Sequence, residues 1–266
     1  MEQSQLIEMI NNNPSAIKTL HQPSDELKLI ALRKNGLLLE YIENPTKEME
    51  ELALDNNIRA IKFIKNPTED MMIRAIKGGW TNLEYLKNPT EAVVRLAVEQ
   101  AGWAIRYIDD PSEELQLLAV RRNYDSIKFI KNPYESVQEE AVAINYEALR
   151  LIATPTYQAQ LIAVRNNESA IKFINDLDKN RILEFLKVNF LILKYVIKEV
   201  SKAELEEVLR EVLSREDADE KYVRDFLNYS TLDHSTIRDM DKMRFIYQYG
   251  SRKAKKIAVD EKLKLV

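Results

Sequence analysis

Residues 61–100 read IKFIKNPTEDMMIRAIKGGWTNLEYLKNPTEAVVRLAVEQ, and this stretch contains two copies of one pattern. Its two prolines lie 22 residues apart, and the same spacing continues in both directions without a change of register. The prolines in this series are Pro23, Pro45, Pro67, Pro89, Pro111, Pro133 and Pro155. A fixed period of this length predicts a repeat array, in which each small supersecondary unit packs on its neighbours.

The residues around each proline predict the start of a helix. Asn or Asp precedes most of the prolines and can accept hydrogen bonds from the first free amides of a helix. Proline then fits the first helical position, because its amide would have no partner there. Ser or Thr follows most of the prolines and is an alternative cap, so the start is defined only to within one or two residues.

Two further columns define the first helix of each repeat. Alanine stands eight residues after every proline of the series, next to an aliphatic residue, and predicts a buried stripe where helices approach closely. Asn or Gly usually stands twelve residues after the proline and predicts a left-handed helix end, so this helix spans about eleven residues. The alanines are Ala31, Ala53, Ala75, Ala97, Ala119, Ala141 and Ala163.

A second, shorter helix follows in each repeat. Leu or Ile recurs at positions three residues apart, such as Leu39 and Ile42, with a mostly aromatic column that includes Tyr41 between them. On an α-helix these three positions share one arc, so we expect the aromatic column to be buried. The charged column one step before the aromatic one is expected to face solvent. Its members are Glu40, Lys62, Glu84, Arg106, Lys128, Arg150, Lys172 and Lys194.

Residues 1–22 and 177–198 keep the register although they lack the proline, which gives about nine two-helix repeats. We therefore predict an all-α fold with an α-solenoid over residues 1–198. Residues 199–266 have no period and are predicted to form a helical C-terminal cap or small helical domain. Within this segment we expect helices at 203–213, from 217–220 onward, at 235–248 and at 251–265.

The repeat pattern also resembles a known kind of protein. Asn-Pro-Thr/Ser-x-Glu, an alanine five or six positions on, Asn, and a terminal Ile-Lys-Phe-Ile are similar to an uncharacterised short-repeat family of bacterial and phage proteins. More distantly, the pattern is similar to leucine-rich repeat variants and HEAT-like solenoids. The resemblance covers about residues 1–198 and implies a curved, right-handed α-solenoid used for binding, with no catalytic residues to transfer. A phage origin would fit a protein that binds and modulates a host complex.

The charge of the chain limits which partners it can attract. The formal net charge of −4 gives no global attraction for nucleic acid or anionic membranes, so any such role must be local.

The residues that usually bind metals or catalyse reactions are few. The chain has no cysteine, and neither His21 nor His234 has a companion at metal-ligand spacing, so we expect no metal and no cofactor. Asp233 and Ser235 flank His234 without implying a catalytic triad, because a triad is a matter of geometry. The chain is predicted to be cytoplasmic, since no signal peptide or membrane span is evident.

Glycines give no phosphate-binding loop. The four glycines of the repeat region lie at the turn between the two helices of a repeat, where we interpret them as caps. They are Gly36, Gly78, Gly79 and Gly102.

Three groups of residues are candidates for partner binding. The first is the basic ladder, which has one cation per repeat in the exposed column: Arg106, Lys128, Arg150, Lys172 and Lys194. It would suit a phosphate backbone or an acidic protein surface. The alternative is that these cations only form a solvated face. The second is the pair Trp80 and Trp103, which either form a binding hot spot or pack back on the preceding helix. The third is the C-terminal basic cluster of Arg252, Lys253, Lys255 and Lys256, which either contacts an acidic partner or pairs with the acidic residues of 199–220.

These features predict a non-enzymatic scaffold or adaptor that binds another protein or protein complex. The alternative is a nucleic-acid-binding solenoid that uses the basic ladder or the C-terminal basic cluster. No membrane and no small-molecule substrate is expected as a partner, and no column of residues supplies a convergent polar pocket for catalysis.

Overall fold

The structure, a computed structural model, describes residues 2–229 and 240–264, and these residues form helices without any strand. The predicted all-α fold of successive helix pairs is confirmed. The chain divides into two compact units, Met1–Asn132 and Pro133–Val266. The predicted division between residues 198 and 199 stays a prediction.

The first unit contains six helix pairs. In each pair an α-helix of ten residues is followed by a 3₁₀-helix of six residues. Successive α-helices pack on each other, and so do successive 3₁₀-helices. The α-helices are α1 (Gln3–Asn12), α2 (Asp25–Lys34), α3 (Lys47–Asn56), α4 (Glu69–Gly78), α5 (Glu91–Gln100) and α6 (Glu113–Arg122). The 3₁₀-helices are η1 (Pro14–Thr19), η2 (Gly36–Tyr41), η3 (Ile58–Phe63), η4 (Trp80–Tyr85), η5 (Gly102–Tyr107) and η6 (Tyr124–Phe129).

The second unit contains three more pairs and then α-helices outside the period. The pairs are α7 (Glu135–Ile144) with η7 (Tyr146–Leu151), α8 (Tyr157–Asn166) with η8 (Glu168–Phe173), and α9 (Lys179–Val188) with η9 (Phe190–Ile192) and α10 (Leu193–Val196). The later helices are α11 (Lys202–Leu213), α12 (Glu220–Asn228), α13 (Lys242–Tyr249) and α14 (Arg252–Leu263). The helix expected at 235–248 is thus described only from residue 242 onward.

The Ser or Thr after the proline, not the Asn before it, caps most of the first helices. Thr46 Oγ1 accepts a hydrogen bond from the Met49 amide at 3.3 Å, and Thr68 Oγ1 accepts one from the Met71 amide at 3.3 Å. The proline therefore precedes the cap and is not the first helical residue. Asn44 has a left-handed backbone with φ of 51°, a conformation that Asn tolerates better than most residues.

The Asn column that was expected to end the first helix in a left-handed conformation has an extended backbone instead. Asn35 has φ of −152°, and its side-chain Oδ1 accepts a hydrogen bond from the Leu37 amide at 3.1 Å. Asn57 and Asn145 make the same contact two residues onward. These side chains cap the second helix, because that helix also begins with amides that lack a partner.

The prediction that the aromatic column is buried was wrong. In a 3₁₀-helix three residues make one turn, so residues i and i+3, such as Leu38 and Tyr41, lie in one row. Leu38 is buried, whereas the Tyr41 ring at the end of the helix is 49% exposed. The buried column that the sequence analysis missed is composed mostly of small residues, among them Ala60, Ala104, Ser126, Ala148 and Ala170.

The alanine column is fully buried in all seven repeats, as predicted. It marks the close approach of neighbouring pairs, and two glycines belong to the same contact. A Cβ atom on Gly36 would lie 2.1 Å from the Ala53 carbonyl oxygen, and one on Gly102 would lie 2.2 Å from that of Ala119. Gly36 and Gly102 are the first residues of η2 and η5, and they lie in close contact with the helix of the next pair. The prediction that these two glycines are caps was wrong. Gly79 does cap α4.

The helices after residue 198 pack on the last pair of the second unit. Helix α11 lies against α9, and α12 lies against η9. The fully buried Phe190 is surrounded edge-on by the rings of Tyr222, Phe226 and Tyr229, with centroids 5.3–5.9 Å away. The predicted capping box of Ser201 and Glu204 is present at the start of α11.

Candidate functional site

The 3₁₀-helices of the first unit present one row of charged and aromatic side chains, which we call the second-helix face. It consists of the last two residues of η2–η6, and every charged member is exposed, as predicted. Tyr41 and Tyr85 are 49% and 44% exposed. The members are Glu40, Tyr41, Lys62, Phe63, Glu84, Tyr85, Arg106, Tyr107, Lys128 and Phe129.

Cations on this face, and Lys18 of the neighbouring η1, stack on its aromatic rings. Arg106 lies 4.3 Å from the centroid of the Phe129 ring of the next pair, and Lys18 of η1 lies 4.0 Å from the Tyr41 ring. Lys62 and Lys128 stack on the aromatic residue that follows each of them. Because each such contact is favourable and orders two side chains, the face is a set of positioned cation–ring pairs.

The two tryptophans lie at different positions. Trp80 is half-buried, and its ring centroid is 6.3 Å from that of Tyr107, so the ring contacts η5 of the following pair. That Trp80 packs back on α4 stays a prediction. Trp103 stands one position later in its repeat and is 36% exposed. Its indole Nε1 donates a hydrogen bond to Asp125 Oδ1 at 2.7 Å, which fixes the ring at the edge of the second-helix face.

Three of the five cations of the basic ladder lie at ion-pair distance from a carboxylate. In the first unit, Lys128 pairs with Asp125 at 2.8 Å. In the second unit, Arg150 lies 3.7 Å from Glu147, and Lys194 pairs with Glu168 at 2.6 Å.

The other two cations of the ladder contact aromatic rings. Arg106 stacks on Phe129, and Lys172 lies 4.5 Å from the Tyr195 ring centroid. Within the described residues, neither of these two cations has a carboxylate at ion-pair distance.

Two of the carboxylates that pair with the ladder, Asp125 and Glu168, have pKa values below the ordinary value. Burial raises the pKa of Asp125, but hydrogen bonds from Lys128 and Trp103 outweigh it, and the pKa lies below its ordinary value. Burial likewise raises the pKa of Glu168, but the hydrogen bond from Lys194 lowers it, and the pKa lies below its ordinary value. The side chains of this row therefore carry both signs of charge at neutral pH.

A groove of about 740 Å³ opens beside the second-helix face of the first unit, between the second and third pairs. Glu40, Glu43 and Glu50 line it together with Lys47 and Lys65. Burial raises the pKa of Glu50. The groove thus continues the mixed charge of the face.

The C-terminal basic cluster lies on α14. None of its four side chains forms an ion pair with a carboxylate of the described residues 199–220. The Arg252 amide donates to Glu216 Oε1 at 3.2 Å, and Lys253 Nζ donates to the Ala218 carbonyl at 2.7 Å. Lys255 lies 5.8 Å from the Tyr247 ring centroid, and Lys256 is exposed. Acidic residues of α11 pair elsewhere, for example Glu211 with Lys187 of α9.

A second cleft, of about 460 Å³, lies in the second unit between α8, α9 and the start of α12. Its carboxylates include Glu184 and Glu211, both of which are substantially exposed and pair with Lys187. A buried carboxylate pair, the arrangement that would indicate acid–base catalysis, is therefore not formed by these two residues. That the chain is not an enzyme stays a prediction.

The described residues contain no group of three or more His, Asp or Glu side chains placed to hold a metal ion. His21 is exposed, whereas His234, Asp233 and Ser235 lie outside the described residues. Among the helices that the structure describes, none combines the length and the apolar character needed to cross a bilayer.

Sequence reasoning missed the acidic partners of the basic ladder and the exposure of Tyr41 and Tyr85. The signal that was available is the i, i+3 spacing of Asp125 with Lys128 and of Glu147 with Arg150, because residues three apart eclipse in a 3₁₀-helix.

Comparison of the chain with protein-family models, with curated proteins and with solved structures found no match. The resemblance to a short-repeat family of bacterial and phage proteins stays an expectation from the sequence.

Proposed function

We propose that this protein is a non-enzymatic scaffold that binds another protein through the second-helix face of its first unit. The observation that carries the proposal is the row of exposed aromatic rings, Tyr41, Tyr85 and Trp103, set among positioned charges of both signs. Tyrosine, tryptophan and arginine dominate the binding energy of protein interfaces. A partner with complementary charges of both signs fits this face.

A nucleic-acid partner is supported less well. Lys128, Arg150 and Lys194 are paired with carboxylates, and Glu40 and Glu84 stand in the same column as the cations. A phosphate backbone would be repelled by these acids, and the rings of Tyr41 and Phe129 already carry cations where bases would stack.

The test is affinity purification with the full chain as bait, with and without nuclease, followed by mass spectrometry. The identified partner is then titrated against the wild type and against the triple variant Tyr41→Ala, Tyr85→Ala and Trp103→Ala. We expect binding to be at least about 30-fold weaker in the triple variant, since hot-spot aromatics each contribute more than about 1 kcal/mol.

The control is the double variant Tyr134→Ala and Tyr157→Ala, which removes exposed tyrosines from the α-helix starts of the second unit. It should bind the partner as the wild type does. Capture that disappears after nuclease treatment, or equal affinity of the triple variant and the wild type, would refute the proposal.

A further inference from the structure

The last two helices expose the three most exposed large apolar side chains in the described part of the chain. Tyr247 of α13 is 80% exposed, and Val259 and Leu263 of α14 are 54% and 67% exposed. Isolated exposed apolar residues are ordinary, but a group of them on neighbouring elements indicates a contact surface.

The outward side of α14 combines these apolar residues with cations. Arg252, Lys256, Val259 and Leu263 follow each other at spacings of four, three and four residues, which places them on one stripe of an α-helix. The opposite side carries Ala254, Ile257 and Ala258, which are buried. The stripe therefore points away from the helices on which α14 packs.

More cations flank this stripe. Lys255 lies 5.8 Å from the Tyr247 ring centroid, which joins the exposed side of α13 to that of α14. Among the described residues, no carboxylate lies at ion-pair distance from Arg252, Lys255, Lys256 or Lys262. We call Arg252, Lys255, Lys256, Val259, Lys262, Leu263 and Tyr247 the α13–α14 surface.

Positive charge is concentrated in this part of an acidic chain. Residues 242–264 contain eight bases and two acids, whereas the whole chain has a formal charge of −4, so the rest carries −10. A local positive surface on a negatively charged protein attracts an acidic partner to that surface without causing non-specific binding by the rest of the molecule.

We propose, contrary to the expectation from the sequence that no membrane is a partner, that the α13–α14 surface binds peripherally to the anionic face of a lipid bilayer. Anionic headgroups attract the cations, while the boundary between headgroups and acyl chains accepts Val259 and Leu263 and suits the ring of Tyr247. A nucleic acid would leave both aliphatic side chains in water. The surface belongs to the second unit and is independent of the protein-binding face proposed for the first.

The test is co-sedimentation of the full chain with sucrose-loaded vesicles of phosphatidylcholine alone or with about 30% phosphatidylserine. We expect sedimentation only with the phosphatidylserine vesicles and a loss of binding as salt increases. The variant Lys255→Gln, Lys256→Gln should partition about 30-fold more weakly. The variant Val259→Ser, Leu263→Ser should also partition several-fold more weakly at unchanged charge.

The matched control is Lys34→Gln, Lys77→Gln, which removes two exposed cations from the first unit and should bind vesicles like the wild type. Circular dichroism verifies that each variant is folded. Sedimentation that does not depend on phosphatidylserine, or that Val259→Ser, Leu263→Ser leaves unchanged, overturns the proposal. Binding to a short single-stranded oligonucleotide or to polyglutamate without vesicle binding would assign the surface to another class of partner and overturns it too.

Discussion

Ser126 occupies the buried column of small residues, where four other repeats have a buried alanine. Its side chain is fully buried, and its hydroxyl has no hydrogen-bond partner among the residues that the structure describes. Because a buried hydroxyl without a partner costs about 1–3 kcal/mol, Ser126→Ala should stabilise the protein by about 1–2 kcal/mol. Urea unfolding measures the change in the free energy of unfolding.

Ser169→Ala is the control for this substitution, since the Ser169 hydroxyl is 3.1 Å from that of Tyr195. Removing that hydrogen bond should lower stability by about 1 kcal/mol. A destabilised Ser126→Ala protein would show that the Ser126 hydroxyl does have a partner.

Gly36 and Gly102 test the close approach of neighbouring pairs. A Cβ atom at either position meets a backbone carbonyl at 2.1–2.2 Å, and the backbone of a packed helix cannot move away cheaply. We expect Gly102→Ala to cost about 1–3 kcal/mol, the usual cost of overpacking. Gly78→Ala should cost less, because the atom nearest to the added Cβ is Cγ1 of the Ile58 side chain at 2.9 Å rather than a backbone carbonyl oxygen at 2.1–2.2 Å. Thermal unfolding of both variants distinguishes the two cases, and equal midpoints would contradict the close contact.

At the scale of the helix, the caps can be assigned by mutation. Thr68 Oγ1 accepts the Met71 amide at the start of α4, so Thr68→Ala should destabilise the protein by about 1 kcal/mol. Asn66, which the sequence analysis favoured as the cap, makes no such bond in α4, and Asn66→Ala should have little effect. The free energies of unfolding of the two variants decide the matter, and a larger loss for Asn66→Ala would restore the first interpretation.

The start of α11 should make stability depend on pH. The hydrogen bond from Ser201, followed by that from Lys179, lowers the pKa of Glu204 to about 2. A carboxyl whose pKa is lowered by folding contributes stability above its ordinary pKa, and this contribution is lost as the pH falls from about 4.5 to about 2. Glu204→Gln keeps the capping box but removes the charge.

We therefore expect Glu204→Gln to be less stable than the wild type at pH 7, with a difference that shrinks below about pH 4.5. Urea unfolding midpoints across this pH range measure it. A difference that is constant with pH would show that the charge of Glu204 is not responsible. High salt should also reduce the difference, because Glu204 lies near the surface.

The helix pairs were predictable from the sequence because every repeat must keep the same length, the same small buried residue and the same exposed position. Ala119 must be small and Lys128 must be exposed in any arrangement of stacked pairs. The 3₁₀ type of the second helix was not predictable in this way, since six residues with Leu39 and Ile42 three apart fit both 3.0 and 3.6 residues per turn.

At the scale of the whole chain, the repeats place the residues that pack and the residues that vary in charge in different columns. Alanine and small residues recur at the buried contacts, whereas the exposed columns change between Glu40, Lys62 and Arg106 without affecting the packing. In such an array each pair contacts its neighbours, so stability is approximately a sum of local terms. Surface residues can therefore be altered in the proposed binding tests without unfolding the chain.

The same nearest-neighbour coupling predicts which helices lose stability when the aromatic cluster around Phe190 and Phe226 is mutated. Phe226 is fully buried and lies 5.4 Å from Phe190 and 6.2 Å from Phe245, measured between ring centroids. Phe226→Ala leaves a cavity and should cost about 3–5 kcal/mol of local stability. We expect faster hydrogen exchange in α9 and α12–α14, with unchanged exchange in α2–α5, because nearest-neighbour coupling confines the loss. Tyr247→Ala, on the exposed side of α13, should leave exchange unchanged throughout. Exchange that accelerates equally in α2–α5 would instead show that the described helices unfold as one cooperative unit.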